Sequence, residues 1–409
     1  MGFFRPFGLE QYFAAHEFSA SHLLCASDCE SMSIADLCAM EPESDTALRS
    51  LRLGYTESRG SPSLRADIAA LYGTVGPDDV IVHAGAEEAI LNLCLAILEK
   101  GDRVVVNMPC YQSLAEIPRA LGAEVLPWNF RIESDRWFLD PEDLARFLDP
   151  VSGGKPVKLV VLNTPHNPTG ALMRRDEFDR VIELCRRSGS ILLCDEVYRM
   201  LEQDPGTRLP AACDAYENGI SLSVLSKSWG LAGLRIGWLA SHRRDIIDAV
   251  ATIKDYNSIC ASGPSEVLAG IALRNADLIT GRNRALCTAN ITLLDRFFSS
   301  HETMFDWIPP EAGSIAFPRL EPKGGRFGSD AAAFAKALLH ATGVLLLPGS
   351  LYGEYPAHFR IGFGRASMPM ALERLEEWLD GADRGDRTDG ADKKDKTDKT
   401  DREDKTDRA

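Results

Sequence analysis

The chain has 409 residues, of which 45% are hydrophobic and 26% charged, and its formal net charge is −15 at pH 7. This composition is typical of a globular protein, and the length allows two domains with sizeable cores. The negative charge argues against nucleic acid or an anionic membrane as a partner, and no stretch approaches the roughly 20 apolar residues of a membrane span. The N-terminus lacks the apolar region of an export signal, and the ten cysteines form no CxxC pair, so we expect a cytoplasmic protein without a metal site.

Residues 51–265 alternate short apolar, β-branched runs with amphipathic patterns. Buried strands are predicted at DVIVHAG, DRVVVNMP, AEVLPWNF, VKLVVLNTP, SILLCDEVY and ISLSVLS. Amphipathic helices are predicted at EEAILNLCLAILEKG and DEFDRVIELCRRSG, each ending at a glycine. This alternation predicts an α/β fold with a mainly parallel sheet sandwiched by helices. Ligands of such sheets bind beyond the carboxyl ends of the strands.

Residues 266–380 follow a different pattern, which predicts a smaller α+β domain at the C-terminal end. A helical stretch extends to about residue 301, and IPPEAGSIAFPRL predicts a strand, a turn and a second strand. A helix (DAAAFAKALLHATG), two strands (VLLLPGS and HFRIGFG) and a terminal helix (MPMALERLEEWLD) follow. Residues 381–409 repeat a D-[KR]-T theme without apolar periodicity, so we expect a disordered, solvated tail.

Three motifs stand at the ends of predicted strands. NTPHNPTG covers Asn163–Gly170, CDEVYR covers Cys194–Arg199, and SLSVLSKSWGLAGLRIGW covers Ser221–Trp238. In the last motif Lys227 precedes a glycine-rich turn, and Arg235 follows eight residues after the lysine. Together these motifs resemble the active-site signature of fold-type I pyridoxal 5'-phosphate (PLP) enzymes, the aspartate aminotransferase superfamily, which includes the class I/II aminotransferases.

The resemblance extends over roughly residues 53–380 and implies a domain organisation. Residues 51–265 would form the large PLP-binding domain, with a PLP-dependent transferase-like fold. Residues 266–380 would form the small α+β domain, and residues 1–50 would be an N-terminal segment that joins it.

The resemblance also implies how the motif residues hold the cofactor. Lys227 would bind the PLP aldehyde as a Schiff base and, once freed by the substrate, move a proton at the substrate α-carbon. Asp195, which precedes Lys227 by 32 residues, would keep the pyridine nitrogen protonated so that the ring becomes an electron sink. Tyr198 and Asn167 would hydrogen-bond the phenolic oxygen of the cofactor, and Asn167 would also border the substrate.

The cofactor phosphate needs backbone N–H groups at a helix N-terminus and a cation. The segment HAGAEEAILNL offers the first, because a helix is predicted to begin there after a strand, at Gly85, Ala86 and Glu87. Arg235 matches the cation. The family usually has a serine three residues before the lysine, where this chain has Val224; we expect Ser226 to take over part of the phosphate binding.

Three further residues match positions of the family. Tyr111 matches the aromatic residue that stacks on the cofactor ring. Tyr55 matches the tyrosine that reaches the phosphate of the neighbouring subunit's cofactor, which implies a homodimer. Arg360 matches the arginine that binds the substrate α-carboxylate, a task for which its planar fork is suited; Arg365 is the alternative residue for that task.

The resemblance leaves the reaction open, because a fold does not fix a function. The first interpretation is an aminotransferase that moves the α-amino group of an amino acid to a 2-oxo acid. The alternative is a PLP-dependent lyase, cyclase or oxidase that acts on an arginine-like amino acid in natural-product biosynthesis. It depends on LLCASDCESMSIADL, which has acids where most such aminotransferases have a glycine. Asp28, Glu30 and Glu57 could bind a guanidinium side chain, or they could be solvated loop residues.

Overall fold

The computed structural model describes residues 4–149, 155–322, 325 and 327–381, so the predicted tail lies outside the described residues from residue 382 onward. Its strands are β1 (His22–Leu23), β2 (Val80–His83), β3 (Arg103–Met108), β4 (Glu124–Asn129), β5 (Arg131–Glu133), β6 (Arg136–Phe138), β7 (Val157–Asn163), β8 (Ile191–Asp195), β9 (Gly219–Val224), β10 (Gly237–Ala240), β11 (Phe305–Asp306), β12 (Ile315–Ala316), β13 (Arg319–Leu320), β14 (Val344–Leu345), β15 (Leu347–Pro348) and β16 (Phe359–Gly362).

The helices are α1 (Gly8–His16), α2 (Ile34–Cys38), α3 (Ser44–Ser50), α4 (Pro62–Ala69), α5 (Ala86–Ile97), α6 (Gln112–Ala120), α7 (Pro141–Leu148), α8 (Arg175–Ser188), α9 (Ala212–Ala215), α10 (Arg244–Asp255), α11 (Gly263–Arg274), α12 (Ala276–Ser300) and α13 (Ala331–Thr342). A final helix covers residues 368–381. Within the described part of the chain, none of these helices combines the length and the apolar character needed to cross a membrane.

Seven strands form the central sheet, in the order β2-β10-β9-β8-β7-β3-β4. Strand β10 runs antiparallel to both of its neighbours, whereas the other six strands point the same way. The prediction of a mainly parallel α/β sheet is therefore confirmed. Strand β10 was missed, because its four residues directly follow the glycine-rich turn and give too short a run to predict a strand.

Helices cover both faces of this sheet, because successive residues of a strand point to opposite sides. On β3, Val104 and Val106 pack in a cluster with residues of α5, α6 and α10. Between them, Val105 points the other way and packs with residues of α7 and α8. A strand that is buried on both faces must be apolar at every position. This explains why the central strands appear in the sequence as continuous apolar runs.

Residues 22–24, near the start of the described chain, pair with residues 344–362 of its C-terminal part. Strand β1 pairs in parallel with β14, and the backbone N–H of Gly362 donates to the carbonyl of Leu24. Nearby, β12, β16 and β15 form a small antiparallel sheet, and an apolar cluster joins it to α12, α13 and the final helix. Residues after β1 are thereby held against the end of the central sheet.

One of the two predicted helix ends is confirmed, whereas the other helix end and one predicted strand were wrong. Helix α8 ends, as predicted, at a glycine: Gly189 has φ 70°, in the left-handed region. Helix α5 instead ends at Ile97 with an extended Leu98 as its cap, and Gly101 lies in the following turn. The strand predicted before the turn at residues 311–314 is absent from the described chain there, because Pro309 and Pro310 have no backbone N–H to donate.

Candidate active site

A cavity of about 430 Å³ lies at the carboxyl ends of β8 and β9. Asp195 is the last residue of β8, and Lys227 follows three residues after the end of β9. The cavity brings together most of the residues singled out from the sequence, with the N-terminal segment over one side. Its walls include Ala86, Glu87, Tyr111, Asn167, Asp195, Tyr198, Val224, Ser226, Lys227, Arg235, Arg360 and Arg365.

Lys227 points into this cavity and is held by the N-terminal segment. Its Nζ donates a hydrogen bond to Ser27 Oγ at 2.8 Å. Its carbonyl accepts the backbone N–H groups of Gly230 at 3.1 Å and of Cys29 at 3.3 Å. Burial lowers the pKa of the Lys227 amine, and the nearby Arg360 guanidinium lowers it further. An amine with a lowered pKa is more often neutral, which is the form that acts as a nucleophile or a base.

Asp195 is a buried carboxylate, and few groups of its own chain stabilise its negative charge. Its Oδ1 accepts the backbone N–H of Val197 at 3.2 Å, and no lysine or arginine of the described residues forms an ion pair with it. Burial raises its pKa to about 7. Its backbone is fixed, since its carbonyl accepts the side-chain amide of Asn163 at 2.9 Å. A protonated ring nitrogen beside this carboxylate would supply the missing positive charge, so Asp195 fits a PLP ring.

Gly85 and Arg235 form a concave corner at the start of α5, which we call the phosphate corner. Gly85 has φ 100°, and a Cβ atom there would lie 2.3 Å from Arg235 Nη2, so only glycine fits. Among the described residues, the Arg235 guanidinium bonds backbone carbonyls alone, those of Ala84 at 3.4 Å and Ala232 at 3.3 Å. A cation without an acidic partner beside a helix N-terminus is suited to a phosphate.

Ser226 and Val224 both line the cavity. The expected contribution of the Ser226 hydroxyl to phosphate binding stays a prediction. Burial raises the pKa of Glu87, the second residue of α5, whose carboxylate accepts the Ser113 hydroxyl in a short contact.

A buried chain of hydrogen bonds joins Arg360 to Asn167. Arg360 is 1% exposed; its Nη1 donates to the Tyr352 hydroxyl at 2.6 Å and its Nη2 to the carbonyl of Cys25 at 2.9 Å. The Tyr352 hydroxyl donates in turn to Asn167 Oδ1 at 2.9 Å. The Nε atom of Arg360 is buried without a hydrogen-bond partner, and no carboxylate of the described residues forms an ion pair with its guanidinium. A buried, unpaired guanidinium favours binding of an external carboxylate.

The two candidate tyrosines occupy different places. Tyr111 borders the cavity as the N-cap residue of α6, and its hydroxyl donates to Glu10 Oε1 at 3.3 Å. Tyr55 is 90% exposed and does not line the cavity of its own chain. Exposure of a large aromatic side chain is compatible with the predicted role toward a neighbouring subunit.

The acids of the N-terminal segment are arranged differently from a simple guanidinium site. Asp28 lines the cavity but binds Arg365, whose Nη2 lies 2.8 Å and 2.9 Å from its two oxygens. This pairing also removes Arg365 as a free carboxylate-binding residue. Glu30 accepts the backbone N–H of Ala366 at 2.8 Å, and Glu57 lies 3.9 Å from Arg65 on the surface. Neither Glu30 nor Glu57 borders the cavity.

Sequence reasoning missed several residues of the cavity. Glu10, Phe13 and Glu17 line it from α1 at positions three and four apart, the spacing of one helix face. Ser27 and Tyr352 contact Lys227 and Arg360, respectively. The helical spacing in α1 was the only available signal, and it did not indicate where the face points.

A partly buried lysine, a buried carboxylate and a phosphate corner at the end of a mainly parallel sheet are the features expected of a PLP-dependent enzyme of fold type I. The profile of the family described as aminotransferase class I and II matches residues 23–375. The chain belongs to this family, whose cofactor is PLP.

Three relatives illustrate the range of the family. The chain is 29% identical over 384 residues to capreomycidine synthase of Streptomyces vinaceus, which covers 93% of this chain and 95% of that protein. A solved PLP-dependent aminotransferase from Streptococcus suis has a TM-score of 0.83 and 30% identity, covering 92% of this chain and 98% of that chain. The solved PLP-dependent cyclase OrfR has a TM-score of 0.83 and 28% identity, with the same coverage.

Proposed function

We propose that this protein is a PLP-dependent aminotransferase that moves the α-amino group of a free amino acid to a 2-oxo acid. One observation carries the proposal: Lys227, Asp195 and the unpaired, buried Arg360 line the same cavity. The three side chains supply an amine, a carboxylate and a carboxylate-binding cation. The similarity to the solved PLP-dependent aminotransferase from Streptococcus suis supports this reaction type.

Each residue of the chain has a separate task in this proposal. When bound, PLP supplies an electron sink that stabilises negative charge at the α-carbon of the amino acid. Asp195 would keep the ring nitrogen protonated, Tyr198 and Asn167 would hydrogen-bond the ring oxygen, and Tyr111 would stack on the ring. Arg235, with the first N–H groups of α5 and the Ser226 hydroxyl, would bind the phosphate.

The substrate would be oriented by its α-carboxylate. Arg360 would bind that group, and the Tyr352 hydroxyl would keep the guanidinium in line with Asn167. The neutral amine of Lys227 would then accept the substrate α-proton and hold it for the next transfer. The closed side of the cavity, formed by the N-terminal segment, would limit access of water.

A second candidate reaction is supported by a specific observation. The side of the cavity formed by α1 and the following segment has three acids, Glu10, Glu17 and Asp28, against two bases that contact it, Arg360 and Arg365. This surplus of negative charge favours a cationic side chain such as a guanidinium. Capreomycidine synthase and the cyclase OrfR are among the similar proteins. We therefore retain a lyase, cyclase or oxidase acting on an arginine-like amino acid as the alternative.

One experiment separates the two reactions. The purified PLP-loaded enzyme is mixed with single amino acids, including arginine and hydroxyarginine, without a 2-oxo acid, and products are identified by mass. Conversion of one equivalent to a 2-oxo acid and pyridoxamine phosphate would support an aminotransferase and identify its donor. Repeated turnover with PLP regenerated would contradict transamination and support the alternative. No conversion of any amino acid in the panel would contradict both reactions for these substrates.

We further propose that the enzyme is a cytoplasmic homodimer in which Tyr55 serves the neighbouring subunit. Tyr55 is exposed, and exposed Tyr256 and Ile259 lie on a segment that is tied to it, since the Thr56 hydroxyl donates to the carbonyl of Ala261. Mixing Tyr55→Phe and Lys227→Ala variants tests this, since only a mixed dimer would contain one unaltered site. Recovery of activity on mixing is expected; a monomer in solution, or no recovery, would overturn the proposal.

A further inference from the structure

Ser27 holds the amine of Lys227 from a part of the chain 200 residues away. The Nζ–Oγ distance is 2.8 Å, and this is the hydrogen bond that the described residues provide for that amine. Both residues line the cavity. The contact therefore lies where a substrate α-carbon would have to react. Ser27 belongs to the segment LLCASDCESMSIADL, but the sequence alone indicated no role for it.

The backbone around Ser27 is fixed on both sides of the residue. Its carbonyl accepts the Ser314 hydroxyl at 2.8 Å, and the Cys29 N–H donates to the carbonyl of Lys227 itself. A Cβ atom on Gly364 would lie 2.5 Å from the carbonyl oxygen of Asp28, so the segment packs closely on that glycine. The Ser27 hydroxyl is consequently presented to Lys227 by a rigid backbone.

We propose that Ser27 is a positioning residue, whose hydroxyl holds the free amine of Lys227 while this amine moves the substrate α-proton. The proposal rests on the proposed function of Lys227. A neutral amine has two N–H groups and one lone pair. Donation of one N–H to Ser27 leaves the lone pair to accept the proton. The C–H bond breaks, its electron pair stays with the α-carbon, and a new N–H bond forms at Nζ.

The same contact has a consequence for the titration of the amine. The Ser27 oxygen also accepts a hydrogen bond from the protonated amine, and a bond to a charged group is the stronger one. It therefore opposes the effects of burial and Arg360, which lower the pKa of Lys227, and acts in the same direction as Asp28, Glu10 and Asp195. Removal of the Ser27 hydroxyl should therefore lower this pKa.

The test measures the amine directly, in the full-length protein after removal of the cofactor. The rate of Lys227 acetylation by acetic anhydride is followed against pH by mass spectrometry of the peptide that contains it. Ser27→Ala and Ser27→Gly remove the hydroxyl, Ser27→Thr retains it, and Ser19→Ala is the control, since Ser19 is exposed outside the cavity. Steady-state kinetics of the PLP-loaded variants then separate kcat from KM.

We expect Ser27→Ala and Ser27→Gly to lower the Lys227 pKa and to reduce kcat about tenfold with little change in KM. Ser27→Thr should restore both values, and Ser19→Ala should match the parent. An unchanged pKa in Ser27→Ala and Ser27→Gly would overturn the proposal. So would a rise in KM with kcat unchanged. If the pKa falls but PLP is attached to another lysine, the proposed function fails while the contact between Ser27 and Lys227 stands.

Discussion

Replacing Arg360 by methionine should separate a binding role from a structural role. Arg360 is 1% exposed, and within the described part of the chain its guanidinium hydrogen-bonds only the Tyr352 hydroxyl and the Cys25 carbonyl. A fork that binds a carboxylate makes two charge-assisted hydrogen bonds, each of about 1.5–3 kcal/mol. Losing about 3 kcal/mol from the transition state lowers kcat/KM roughly 150-fold. The free energy of unfolding should change little, by about 1 kcal/mol, because an uncompensated buried charge is removed with its bonds.

The assay is kcat/KM for the best amino-acid donor, combined with urea unfolding of the cofactor-free protein. Arg319→Met is the matched control: Arg319 bonds Asp306 and Glu321, outside the cavity. An unchanged kcat/KM in Arg360→Met would refute the reasoning, since the α-carboxylate would then be bound elsewhere. A loss of more than about 3 kcal/mol of unfolding free energy would instead assign Arg360 to the structure.

Three further predictions concern other walls of the cavity. Lys227→Ala should lose the visible absorbance of covalently attached cofactor and release PLP on dialysis; retention of the absorbance after dialysis would show that another amine binds it. In the cofactor-free protein Asp195 has a pKa of about 7 because of burial, above its value of about 3.9 in the unfolded chain. Between these values the folded state holds a proton that the unfolded state has lost, so the free energy of unfolding should fall by up to about 4 kcal/mol as pH rises from 4 to 7. In Asp195→Asn, urea titrations at pH 5 and 8 should not show this decrease in the free energy of unfolding. An identical pH dependence in both proteins would disprove the prediction. The double variant Glu10→Gln/Glu17→Gln should raise KM for arginine several-fold while KM for methionine stays constant; equal changes for both amino acids would argue against selection of a cationic side chain.

Much of the fold and the cofactor assignment could be predicted from local sequence patterns. Strands buried on both faces must be apolar throughout, so the strands of the central sheet could be predicted from the sequence. Asp195 is the last residue of β8, and Lys227 comes three residues after the end of the neighbouring parallel strand β9. Carboxyl ends of parallel strands meet at one edge, so their convergence in one cavity was predictable. The roles assigned to these side chains stay predictions.

The acids of the N-terminal segment show what could not be predicted from the sequence, namely the partner of each charge. Its acids were visible in the sequence, but their partners were not. Asp28 is paired with Arg365, which lies 337 residues away, and this contact changes a free acid into half of an ion pair. Glu10 and Glu17 line the cavity only because α1 packs over it.

The sequence by itself indicated the mainly parallel sheet, through its alternation of strand and helix patterns, and it indicated the cofactor family and the candidate lysine through the resemblance of three local motifs to a known family. The tertiary structure decided which groups surround those residues. Ser27 reaches Lys227 across 200 residues, and Tyr352 reaches Asn167 across 185. Contacts between residues so far apart in the sequence depend on how the segments around Ser27 and Tyr352 pack against the sheet. No local pattern of side chains encodes that packing.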